Sequence, residues 1–436
     1  MRILPTPKTT DDAAQQPSPP AARTSTTPDQ PPWEAAKVIM DDPATAGVLY
    51  SAWSGETPSS QWPHPAAGRH GSWHSWPSCS PAALDSVWES PPRPSDQAAE
   101  IARRIGALDY PARLVWPRDR PAPDLSPGSA TVARGTGVRF PNNAGGVIIA
   151  TTARWLYADP STLASDVMII DEAWQATYAD LGALGAFAPQ IICVGDPGQI
   201  PPVVTGTTRR WADSPTGPHL PGPTALLAAH GDAISTVALS HTWRLGPTTT
   251  ALIQPAFYPD LPFTSRRPPE HLTTHTGQRL PEITTQPVTA TAGPSDPAFT
   301  RACADAARAL LTGSLTTGNG TRPLTDSDIA VVTAHVNQSA TIRALLADLP
   351  HVLVGTANQL QGMERAAAVV LHPLAGYRDP TTFGTDLGRA CVMLSRHRAH
   401  LHVVTDTATP TVLEAPNPQS AALTHRVLLN ALLDHA

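Results

Sequence analysis

Apolar positions in this chain are gathered into short runs, set apart by polar and proline-rich stretches, and the runs fall into two blocks. In the first block, ARLVW (112–116), DVMII (166–170) and QIICVG (190–195) are short, β-branched and bounded by turn residues. That pattern predicts strands, the last two followed by loops. GVIIATTARWLY (146–157) reads as a strand running into a helix. SDQAAEIARRIGAL (95–108) has a serine cap and apolar positions at helical spacing, which predicts a helix. In the second block DIAVVTAHV (328–336), HVLVGT (351–356), AAAVVLHPL (366–374) and HLHVVTD (400–406) predict strands. QSATIRALLADL (338–349) and GRACVMLSRHR (388–398) predict helices between them. Strand–helix alternation in two blocks places the chain in the α/β class, as two doubly wound parallel-sheet domains over 33–235 and 236–410. Residues 262–300, rich in Pro and Thr, predict a loop, and QSAALTHRVLLNALLDH (419–435) predicts an amphipathic helix in 411–436.

Other segments break the pattern. Residues 1–32 carry Pro, Thr, Ser and Gln with almost no large apolar side chains, which predicts a disordered tail. WEAAKVIM (33–40) predicts a short helix and AGVLY (46–50) a short strand. Residues 51–94 show neither period: five Trp stand beside only Leu84 and Val87 as large aliphatics. The segment reads either as a disordered insert or as the product of a shifted reading frame.

Composition narrows the classes. The net charge is −6 with 15% charged residues, so any grip on nucleic acid is local rather than a global basic field. Cys79, Cys193, Cys303 and Cys391 are scattered without a CxxC pair, against a zinc site or disulfide framework and in keeping with a cytoplasmic protein. No apolar run approaches the roughly 20 residues of a membrane span.

The candidate chemistry lies in the loops after strands. DVMIIDEAWQ ends a strand on Asp171 and Glu172, and IICVGDPGQIPP ends the next on Gly195, Asp196, Gly198 and Gln199. A nucleoside-triphosphate motor needs such a set: Asp171 to hold Mg2+ directly or through water, Glu172 to activate the attacking water, Gln199 to sense the terminal phosphate. Gly195 and Gly198 permit a tight turn beside a ligand. A helix cap followed by an ordinary strand-end turn is the alternative for each motif alone. In LSHTWRLGPTTT, Arg244 precedes a helix and could neutralise phosphate charge or form a surface ion pair. In VGTANQLQGMERAAAVV, Gly362 permits close backbone approach and Glu364 can accept from a ribose hydroxyl; a polar turn is the alternative. In GRACVMLSRHRAHLHVV, Arg389, Arg396 and Arg398 sit between apolar runs, where a charge needs a partner such as phosphate.

Taken in this order, the motifs resemble those of the superfamily 1 helicases and their AAA-type ATPase relatives, over about residues 95–410. DEAWQ is similar to their Walker B motif, GDPGQIPP to motif III, LSHTWRL to motif IV, TANQLQGMER to motif V and RACVMLSRHR to motif VI. The resemblance implies two RecA-like domains with ATP and Mg2+ between them and single-stranded DNA or RNA across their top. It implies Asp171 and Glu172 for magnesium and water, Gln199 for coupling, and Arg244 and Arg396 as arginine fingers. It also implies a nucleotide contact for Gly195, Asp196, Gly362, Glu364 and Arg398, and a nucleic-acid contact for Thr151, Thr152 and His335. The activity implied is ATP-driven translocation along a strand.

One part of the family pattern is missing. G-x-x-x-x-G-K-[ST] occurs nowhere, and the only lysines are Lys8 and Lys37. The place for it follows AGVLY, where the chain reads SAWSGET. A frame shift would account for this. Trp is read only from TGG, so one base later Trp53-Ser54 must encode Gly, and permitted third bases let Ser51–Thr57 encode Pro-Pro-Gly-Pro-Gly-Lys. The coding DNA tests that reading. The sequence therefore carries three expectations: a motor impaired at the phosphate loop, a catalytically dead strand-binding pseudo-ATPase, or a frame-damaged product that folds poorly.

Overall fold

The computed structural model describes residues 94–141, 146–414 and 420–435. The expected tail 1–32, helix 33–40, strand 46–50 and irregular segment up to residue 93 lie outside the described residues.

The first half holds two parallel sheets. Strands β1 (Ala112–Val115), β2 (Thr131–Ala133) and β3 (Val147–Ile149) form one in the order β2-β1-β3. The helix Pro94–Ala107 lies on it, packing Ala98, Ala99, Ala102 and Ile105 against Leu114 and Ile149. Small residues every third or fourth position let this helix sit close. Strands β4 (Val167–Ile170) and β5 (Gln190–Cys193) form a second parallel pair, over a core of Trp155, Leu163, Met168, Ile170, Leu184 and Phe187. Two short strands, β6 (His241–Thr242) and β7 (Thr264–Ser265), pair in parallel beyond it.

The second half adds β8 (His271–Thr273), β9 (Ile283–Val288), β10 (Ser314–Thr317), β11 (Gly320–Pro323), β12 (Ile329–Thr333), β13 (Leu353–Thr356), β14 (Arg365–Leu371) and β15 (His397–Asp406). Five of them make a parallel sheet in the order β13-β12-β14-β15-β9, and β11-β10-β8 form a small antiparallel sheet. Strand side chains alternate between faces. Ile329, Val331, Val369 and Leu371 meet the helices Pro297–Leu311 and Val336–Leu345 on one face. Ala330, Val332, Ala368 and Val370 meet Ile253, Val392, Leu428 and Leu432 on the other. Covering both faces explains the unbroken apolar runs, and the architecture is mixed α/β with parallel sheets.

Two expectations change. Residues 262–300 are not a loop: ITTQPV forms β9 and pairs with β15 from Ile283↔Leu401 to Val288↔Asp406. Its β-branched residues suit a strand, and Pro287 is tolerated because β9 lies at the sheet edge. The helix expected over 388–398 ends at Leu394, and β15 begins at His397, because pairing with β14 starts at Arg365↔His397. The helix Ser420–Leu433 shares the sheet's core: Thr285 Oγ1 donates to Leu432 O at 2.6 Å. Among the described residues, no helix is long and apolar enough to cross a membrane.

Candidate functional site

The carboxylates stand at the carboxyl ends of β4 and β5, where open α/β sheets bind ligands. Two backbone bonds hold the loops together: Ala173 N to Val194 O at 2.8 Å and Val194 N to Ile170 O at 2.9 Å. Glu172 is turned sharply at φ 52°, a left-handed conformation unusual for a side chain other than Gly, Asn or Asp. Gly195 allows the close approach, since a Cβ there would lie 3.0 Å from the Trp174 ring and 3.1 Å from Ala173 N. Asp171 Oδ2 accepts from Gln97 Nε2 at 2.8 Å and Oδ1 from Glu172 N at 3.0 Å. Burial raises the Asp171 carboxyl above its ordinary range. Burial does the same to Glu172, helped by the negative charge of Asp171 and then of Asp196. On Glu172 the Gln175 hydrogen bond and then the Arg396 charge act the other way.

The loop after β5 is built around Asp196. Its Oδ1 accepts from Gly198 N at 2.9 Å, and its Oδ2 accepts from Gln199 Nε2 at 2.7 Å and Tyr258 OH at 2.8 Å. Gln199 Oε1 accepts from Gln361 Nε2 at 3.1 Å, which ties this loop to the segment after β13. The helix Leu387–Leu394 comes against the same loop through Gly388, where a Cβ would lie 2.7 Å from Gln199 O. Gly388→Ala is therefore expected to force the two elements apart and to lower stability by about 1–3 kcal/mol. Thermal unfolding of the variant measures it.

The arginines supply the opposite charge. Arg396 follows that helix and is 2% exposed. Nη2 donates to Ser395 Oγ at 2.7 Å and Nη1 to Met363 O at 3.4 Å, while Nε has no partner. Burial, and then the nearby Arg244 charge, hold Arg396 down to about 9, opposed by Glu172 and Asp196 across the site. Arg244 Nη1 lies 3.9 Å from Glu364 Oε2, and its Nε is buried without a partner. Arg398 Nε lies 3.2 Å from Glu270 Oε2, and its Nη1 lies 3.5 Å from Glu364 Oε1. Glu364 thus stands between two arginines, and Gly362 beside it takes φ +78°, a conformation open to glycine.

Asp171, Glu172, Asp196, Gln199, Arg244 and Arg396 therefore belong to one electrostatic cluster drawn from both halves of the chain. Thr151, Thr152 and His335 stand outside it. Thr151 caps the short helix Thr152–Trp155 by accepting from Arg154 N at 3.3 Å. His335 stacks on Phe383 at 4.8 Å and meets Tyr377 OH at 2.7 Å through Nε2. The Arg389 guanidinium lies 3.7 Å from the centre of the Phe383 ring, with Nη1 3.8 Å from Asp386 Oδ2. Sequence reasoning missed Gln97, Tyr258, Gly388 and Cys391, whose roles come from contacts between segments far apart in the chain.

The arrangement fits a polyanion bound with a divalent cation. A buried guanidinium with an unpartnered N–H seeks an anion. Mg2+ binds through one or two carboxylates with substrate phosphates filling the remaining positions, so Asp171 alone suffices as a protein ligand. Among the described residues no cluster of three or more His, Cys, Asp or Glu is gathered for a metal held by the protein alone. No lysine lies among the described residues.

No family model matches the chain, and no curated protein matches it. Several solved structures are similar. Arterivirus nonstructural protein 10 (helicase) is 14% identical with a TM-score of 0.36, covering 70% of this chain and 50% of that one. The PRRSV helicase is 15% identical with a TM-score of 0.34, covering 72% and 51%. The complex of the arterivirus helicase with DNA is 14% identical with a TM-score of 0.38, covering 73% and 54%. The chain thus spans about half the length of each.

Proposed function

We propose that this chain is an ATP-dependent translocase of the superfamily 1 helicase type, impaired by the lack of a phosphate-loop motif, with Mg–ATP held between Asp171–Glu172 and Arg244–Arg396. The single observation that carries the reading is Arg396: a guanidinium 2% exposed, unneutralised by any ion pair among the described residues, in the field of Glu172 and Asp196. Bound Mg–ATP would supply the phosphate charge that the arginines need and the cation that the carboxylates need. Asp171 would hold Mg2+, and Gln97 would release its carboxylate oxygen. Glu172, raised by burial, is poised to take a proton from water. Gln199, bonded to both Asp196 and Gln361, joins the phosphate side to the second half. The partner is single-stranded DNA or RNA, with Thr151, Thr152 and His335 as its contacts.

A second reading is a pseudo-ATPase that binds nucleotide and strand without turnover. The absence of a phosphate-loop lysine favours it, since Lys8 and Lys37 are the only lysines in the chain. One experiment decides: binding and hydrolysis of Mg–ATP by the full chain, with and without a single strand, beside a version rebuilt in the shifted frames over 51–94. Strand-stimulated turnover, in the chain or only in the rebuilt form, supports the motor. Binding without turnover in both supports the pseudo-ATPase. No nucleotide binding by either form sinks both readings.

A further inference from the structure

We propose that Tyr258 is the positioning residue through which the loop Asp196–Gln199 and the helix Leu387–Leu394, which leads to Arg396, move as one. The inference rests on the nucleotide-binding reading above and goes beyond it in naming the connection. Tyr258 follows the helix Pro247–Phe257, and its backbone N–H donates to Gln254 O at 2.8 Å, so its place is set by that helix. Its ring takes the room left by Gly198, where a Cβ would lie 2.4 Å from the ring. Phe263 holds the ring edge-on at 5.4 Å between centres. The phenol oxygen then lies 2.8 Å from Asp196 Oδ2 and 3.1 Å from Cys391 Sγ, in the middle of the helix Leu387–Leu394.

The proton order in this bridge is set by chemistry. Asp196 already accepts N–H groups from Gly198 and Gln199. The Tyr258 O–H therefore donates to Asp196, and the Cys391 S–H donates to the Tyr258 oxygen. Burial keeps both groups protonated, raising the Tyr258 phenol and pushing the Cys391 thiol up to about 12. Gln199 shares Asp196 Oδ2 with Tyr258, so a shift of Gln199 toward or away from a terminal phosphate changes what Tyr258 holds. Tyr258 in turn holds the helix that leads to Ser395 and Arg396. Coupling here travels through a hydrogen-bonded chain between packed elements.

The test uses the full-length chain as wild type, Tyr258→Phe, Cys391→Ser and Cys391→Ala. Three quantities are read: affinity for a fluorescent ATP analogue with Mg2+, affinity for labelled oligothymidylate and oligouridylate strands, and the change in strand affinity on adding the nucleotide. The expected result is a change of about ten-fold in wild type. In Tyr258→Phe, which keeps the ring beside Gly198, both separate affinities are expected to hold while the change disappears. Cys391→Ser, whose hydroxyl still donates, is expected to keep the change, and Cys391→Ala to lose it. A Tyr258→Phe protein with the full change would overturn the inference, as would a wild type that binds both ligands without coupling. If wild type binds no nucleotide, the nucleotide reading falls and this inference with it, and that is seen before any substitution is made. Should Tyr258→Phe fail to fold, the Cys391 pair carries the same comparison.

Discussion

Arg396→Met is expected to give a protein that is more stable without ligand and nearly unable to bind Mg–ATP. The side chain is 2% exposed, and burial with the neighbouring Arg244 charge already holds it down to about 9. In the ligand-free state its charge is therefore a destabilising feature, hydrogen-bonded to Ser395 Oγ and Met363 O and only partly offset by Glu172 and Asp196. Methionine keeps the unbranched stem and most of the volume while removing the guanidinium and its charge. Replacing buried charged groups by well-packed apolar ones of similar volume ranges from neutral to stabilising by about 1–4 kcal/mol. The same change removes the donor that would meet phosphate, and losing one partner of a buried charged pair typically weakens binding by about 2–5 kcal/mol. Thermal unfolding without ligand and titration with a fluorescent Mg–ATP analogue check both signs in one sample. A variant less stable than wild type, with nucleotide affinity unchanged, would mean that Arg396 is a structural residue and not a phosphate ligand. Stability given up at a site and regained on removing its charge is the common signature of function.

The second large effect is loss of stability in mild acid. His372 at the end of β14 and His425 on the helix Ser420–Leu433 are buried together, their ring centres 6.0 Å apart and nearly perpendicular. Burial, and then the neighbouring His425, hold His372 down to about 3; burial holds His425 down to about 4, opposed by Thr385 and Asp386. Both are therefore neutral in the folded chain at pH 5, whereas an unfolded histidine takes up a proton near 6.5. Their contribution is complete above 6.5 and is lost as pH falls toward about 4 for His425 and about 3 for His372. At pH 5 the loss is about 2 kcal/mol for each, or about 4 kcal/mol for the pair, by proton linkage. Against a whole-protein stability of about 5–15 kcal/mol, that is a large share. Asp171 and Glu172, raised by burial, act in the opposite sense at lower pH. Urea midpoints at pH 7.5 and pH 5 measure the effect. His425→Leu is expected to flatten the slope, and an equal slope in that variant would place the acid sensitivity elsewhere.

Much of this molecule follows from local sequence. The runs IAVVT, LVGT and AAAVVL specify strands because only a sheet covered on both faces buries every side chain of such a run. The Asp171–Glu172 and Gly195–Gln199 motifs were legible for the same kind of reason: each is a short turn directly after a strand, where neighbours in sequence are neighbours in space. Even Arg396 was legible as a charge flanked by apolar runs.

Other features were decided by tertiary structure alone. ITTQPV became an edge strand, despite its proline, because β15 offered a row of unpaired backbone groups on one side only. The helix before Arg396 stopped at Leu394 because His397 onward could pair with β14. Gln97 lies 74 residues from Asp171, and Tyr258 lies 62 from Asp196 and 133 from Cys391. No periodicity links residues at such separations. Local pattern determined the central strands of the larger sheet and which turns carry carboxylates and arginines. The packing of two halves determined which of those charges face each other, because burial and distance, unlike sequence spacing, exist only after the chain has folded.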